Sequence, residues 1–125
     1  MPTVGEAVRE EYPELLPEAD YPDSVVALAY SHAYTICYNL DMEEHVNTLT
    51  AHMLLLAKKS VEDAEFGGTV NDTPGELLAE QYIQKRSEFM TLAEKGNHVF
   101  YTRTYPGTLF YTHMQTSHSV GIIDV

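Results

Sequence analysis

His45 and His52 are the first residues to weigh for chemistry, because two imidazoles on one helix edge can chelate a metal. Seven positions separate them, which on a helix means two turns and about 10.5 Å. Helical metal pairs use spacings of three or four, and the position one turn beyond His45 is Leu49. No metal site is expected; both histidines read as residues at the core boundary. Cys37 lies beside Ile36 with no cation near it in sequence, so it reads as a buried and inert thiol. As the single cysteine it makes no internal disulfide, and no CxxC pattern exists. The carboxylate pairs Glu10/Glu11 and Glu43/Glu44 are adjacent, so they point to different sides of a helix and do not form an acid–base couple. Gly67-Gly68 lacks the Lys-Ser/Thr that completes a phosphate loop. No catalytic residue, no cofactor and no enzymatic activity are expected.

The elements that carry these residues belong to one domain of 125 residues, long enough to bury a core without disulfides or metal. Seven Lys and Arg stand against 19 Asp and Glu, for a formal charge of −12. That balance argues against a general phosphate-backbone binder, which needs clustered cations, and against docking on an anionic membrane. Three readings of the acidic surface stay open: plain solvation, mimicry of DNA by a small inhibitor or regulator, and the lining of a passage through which nucleic acid slides. Glu6, Arg9, Glu10, Glu11 and Glu14 interrupt the N-terminus, so no secretory leader is expected there. The uncharged run from Thr104 to Ile123 holds Pro106, Gly107 and many hydroxyls, and is no membrane span.

The pattern predicts a mainly α fold: a small bundle of three long helices and a short N-terminal helix. Thr3 and Glu6 have capping-box spacing, and the short helix stops near Tyr12-Pro13. The second helix runs from Pro22 to about Leu40, with Val25, Leu28, Ala29, His32, Ala33, Ile36 and Leu40 on its core arc. Tyr30, Tyr34 and Tyr38 lie nearly opposite. No charged residue occurs from Ser24 to Leu40. Either this helix is central in the monomer, or its tyrosine face meets another subunit. The third helix spans roughly Met42 to Glu62, with Met42, Val46, Leu49, Met53, Leu56 and Ala57 inward. Leu54 and Leu55 fall off that arc and ask for a second packing partner. Thr73-Pro74-Gly75-Glu76 opens a fourth helix that Gly96 stops after Lys95.

Beyond Gly96 the residues become β-branched and aromatic. Val99–Thr104 and Thr108–Met114 flank Tyr105-Pro106-Gly107, and a β-hairpin or short strands are expected. Residues 1–114 then form the helical domain with its hairpin, and 115–125 an extended C-terminal tail. That tail, with Val120, Ile122, Ile123 and Val125, either docks on a neighbour or frays.

Arg9 to Leu15 (REEYPEL), Tyr21 to Val25 (YPDSV) and Leu49 to Ala57 (LTAHMLLLA) together resemble the tailed-bacteriophage head–tail connector family, also called adaptor or head-completion proteins. Members share an (F/Y)PEF-like start, a helix opening near Pro-Asp and an AAHLLAL-like run. The resemblance covers roughly residues 8 to 60. It implies a structural virion protein of the neck, assembled in the host cytoplasm. Such a subunit forms a homo-oligomeric ring, typically of twelve copies, beneath the portal protein. The ring extends the DNA channel without binding DNA specifically and docks the downstream neck or tail protein. On this view Tyr30, Tyr34, Tyr38 and Leu55 make the subunit contact, and Val120, Ile122, Ile123 and Val125 dock on the portal or a neighbour.

Overall fold

Local signals in the chain set six α-helices in the computed structural model, which describes residues 3–15, 19–63 and 73–123, with residues 63 and 117–123 given by backbone alone. They are α1 (Val4–Glu11), α2 (Asp23–Leu40), α3 (Val46–Asp63), α4 (Pro74–Glu94), α5 (His98–Tyr101) and α6 (Tyr105–Ile123). Single 3-10 turns at Pro13–Leu15 and Glu43–His45 precede α2 and α3. The caps act as the sequence reading expects. Thr3 and Thr73 accept the amides of Glu6 and Glu76 on their side-chain oxygens, at 3.1 and 3.2 Å. Gly96 ends α4 in the left-handed region, φ 66°, where the Asn97 amide reaches back to the Leu92 carbonyl at 3.1 Å. Asn97 then caps α5 at once, its side chain accepting from the Phe100 amide.

α3, and not α2, is the central element. It touches α1, α2, α4 and α6, and every residue from Thr48 to Leu54 is buried. A helix buried around its circumference needs apolar residues on every side, which is why Leu54 departs from the inward arc. The second partner that Leu54 and Leu55 call for lies within the same chain. The two threonines of that stretch are satisfied: Thr50 donates to the Val46 carbonyl within the helix, and Thr48 shares a 2.6 Å hydrogen bond with the Tyr12 hydroxyl, 36 positions away. On α4 the expected inner face, Leu78, Tyr82, Phe89 and Ala93, is buried, while Glu76, Glu80, Ser87, Thr91 and Glu94 face out.

The C-terminal third corrects the hairpin expectation: no strand occurs among the described residues; the first predicted strand is the short helix α5 followed by a turn, and the second lies within α6. Pro106 sits in the first turn of α6, where a missing amide hydrogen costs nothing and the fixed φ suits a helix as well as a turn. Thr104 caps that turn by accepting the Gly107 amide at 2.9 Å. Thr108, Thr112 and Thr116 each donate a hydroxyl to the carbonyl four residues back, at 2.9 to 3.0 Å. The β-branched residues thus form a ladder along one helix edge, while Phe110 and Met114 are buried on another. Nor is 115–125 an extended tail: the backbone continues as helix to Ile123, and 124–125 lie outside the described residues.

Candidate functional site

α2 is two-faced, with no charged residue beyond Asp23 in its first turn. Val25, Val26, Ala29, Ala33, Ile36 and Cys37 are buried, whereas Ala27, Ser31, Tyr34, Thr35 and Tyr38 are exposed. The hydroxyls on the outer face return to their own helix, Ser31 donating to the Leu28 carbonyl and Thr35 to the Ser31 carbonyl. What remains for a partner is aromatic. Tyr34 and Tyr38 are 46% and 63% exposed, and their rings stack with centroids 6.4 Å apart. Of the expected contact residues, the structure brings these two together. Tyr30 and Leu55 are half-buried against the core, and among the described residues no ring contact joins either to the stacked pair. For Val120, Ile122 and Ile123 the backbone is helical, while their side chains, like Val125 as a whole, lie outside the described residues.

The histidines divide differently from the boundary reading. His52 is fully buried, its ring edge-to-face with Phe100 at 4.6 Å and stacked with Tyr101 at 5.6 Å. Its Nδ1 lies 2.7 Å from Thr104 Oγ1. That oxygen already accepts the Gly107 amide, and no other acceptor meets its hydroxyl hydrogen among the described residues. Nδ1 and the Thr104 hydroxyl share this hydrogen bond, while Nε2 is a buried nitrogen with no hydrogen-bond partner among the described residues. Burial, and secondarily the charge of Arg103, lowers its pKa to about 3. No surface reaches this ring, so it holds α3 against the start of α6 and does not meet a substrate.

A depressed histidine pKa fixes the sign of a pH effect. At pH above 6.5, the usual value, folded and unfolded chains both hold His52 neutral, and stability is independent of this group. Between that value and about 3, only the unfolded chain takes up the proton, so stability falls as pH falls. The slope is about 1.4 kcal/mol per pH unit for one such group. Urea midpoints at pH 7, 6 and 5 should therefore decrease, and His52→Leu should flatten the trend.

His45 stacks on His113 of α6, centroids 4.1 Å apart, with Glu44 3.5 Å from His45 Nε2. Burial and His113 lower the His45 pKa against the opposing carboxylates Glu44 and Glu11. Among the described residues no group of three His, Cys, Asp or Glu is placed to hold a metal. Burial pushes the Cys37 thiol up to about 12, with Glu44 and Glu43 adding to the rise, which makes it a poor nucleophile. Sequence reasoning missed Thr104, Gly107 and His113. Thr104 with Pro106 repeats the cap-then-proline signal of Thr73-Pro74, and that signal was available.

The arrangement thus presents a sealed polar joint inside and a stacked, charge-free aromatic face outside. Comparison with protein-family models, with curated proteins and with solved structures finds no match to this chain.

Proposed function

We propose that this chain is a non-catalytic assembly subunit, a head–tail connector protein that self-associates through the outer face of α2. The observation that carries this reading is the exposed Tyr34–Tyr38 stack on a helix with no charge from Ser24 to Leu40. In a chain of charge −12, the part of this face beyond Asp23 carries no carboxylate, and two copies meet the least repulsion there. Rigid aromatic side chains bury large areas at low entropic cost and are enriched at subunit interfaces. The REEYPEL, YPDSV and LTAHMLLLA segments supply the connector assignment by resemblance. No described helix is long and apolar enough to cross a membrane. In this reading the ring, typically of twelve copies, sits under a portal protein and keeps the DNA path open with an acidic wall. The end of α6, carrying Val120, Ile122 and Ile123, docks on the portal or the next neck protein.

The test is sedimentation equilibrium of the purified chain across concentration. Self-association is expected, and Tyr34→Ser with Tyr38→Ser should abolish it. Because both rings are on the surface, the double variant should stay within about 1 kcal/mol of the parent in urea unfolding. A monomer at every concentration overturns the reading, as does a double variant that assembles unchanged.

A further inference from the structure

The turn that leads into α3 and the middle of α6 meet through two titratable rings. His45 and His113 lie face to face, centroids 4.1 Å apart and planes 14° from parallel. In that geometry the ring nitrogens point side by side and do not converge on one point, so the pair is no chelate. It is a place where two protons compete. Most of the His45 side chain is covered, 23% remaining exposed, whereas His113 is exposed. One proton is tolerated, since Glu44 lies 3.5 Å from His45 Nε2 and Glu11 of α1 also favours the charged ring. A second proton would set like charges against each other across the stack. The other packed elements offer little relief. α3 carries no charged residue before Lys58, and α6 has no ionisable acid or base but His113 from Tyr105 to Thr116. α2 packs on the same turn, and among the described residues neither Asp41 nor Glu43 pairs with either ring.

The position of the stack along α6 gives it leverage. Phe110 and Met114 are buried, but Gln115 and Thr116 beyond them are exposed. His113 and Met114 are therefore the last described anchors of α6. A freed segment of this length is only marginally helical in water.

We infer that the His45–His113 stack is a proton-operated latch, closed while at most one ring is charged and released when both are. The inference is independent of the assembly reading. Burial first, and then His113, hold the His45 pKa below 6.5, the usual value. Above 6.5 the latch contributes fully, and below it the open form takes up the extra proton, so closure weakens as pH falls.

The test combines proton NMR titration of the histidine rings with amide hydrogen exchange of the full chain. His113→Phe keeps a ring in the stack and takes no proton, so the His45 midpoint should rise. Glu44→Gln should lower it. In the parent, protection of the amides from Met114 to Thr116, corrected for intrinsic exchange and divided by that of α3, should fall up to about tenfold per pH unit below 6.5. His113→Phe leaves His52 intact and should abolish that fall. A His45 midpoint unmoved by His113→Phe overturns the latch. So does a protection ratio that does not change between pH 7 and pH 5, or one that falls equally in the variant.

Discussion

Gly107→Ala is expected to lower stability by about 3 kcal/mol, the sum of overpacking a tight joint and losing a buried hydrogen bond. A Cβ at this position would overlap the Tyr101 carbonyl oxygen and the Nδ1 and Cε1 atoms of His52. None of these is the far end of a flexible side chain. The carbonyl belongs to the backbone at the end of α5, and the imidazole is wedged between Phe100 and Tyr101. Relief requires α6 to move away from α3, which would pull Thr104 off His52 and leave Nδ1, like Nε2, buried without a partner. The corresponding fall in melting temperature is on the order of 10 °C for a domain of this size. Thermal unfolding followed by circular dichroism checks it. A change under about 2 °C would show that the joint yields far more easily than its packing implies.

Arg9→Met carries the second large effect, again about 3 kcal/mol, because it deletes a buried guanidinium that satisfies two buried backbone carbonyls. Arg9 is 4% exposed. Its Nε donates to the Leu15 carbonyl at 3.1 Å, one terminal nitrogen donates to the Tyr21 carbonyl at 2.6 Å, and the other pairs with Asp23. One guanidinium thus ties α1 to the turn after it and to the first turn of α2. Methionine keeps much of the stem's volume but strands two buried carbonyls, which is the costly direction of such a change, while the exposed Asp23 carboxylate stays solvated. Arg9→Lys keeps the charge without the planar fork, and should recover only part of the loss. Since the cation is buried, added salt should hardly alter the difference between parent and variant in urea midpoint. Equal midpoints for Arg9→Met and the parent would mean that the network contributes nothing net.

The sequence was most legible where helix ends announce themselves by side-chain chemistry. Thr3, Thr73-Pro74 and Gly96 mark boundaries because caps act within four residues and need no tertiary context. The inner faces of α3 and α4 were equally readable from period alone. The last third was not, since threonine, tyrosine and phenylalanine favour strands until something local or distant outweighs them. Here threonines four apart bond to their own carbonyls, and Phe110 and Met114 anchor on the core, so helix prevails. The centrality of α3 over α2 was hidden for a related reason. Its extra coverage comes from α6, and the His52–Thr104 contact that joins them spans 52 positions. The aromatic face of α2 was visible as a gap in charge.

The row of threonines along α6 has a further consequence. Each hydroxyl already discharges its proton within the helix, so this flank asks little of solvent beyond its peptide groups. A neighbouring surface lying against it would expel water without stranding a donor, and would meet methyl groups. The side of the molecule that composition marks as polar is therefore one of the cheapest to dehydrate.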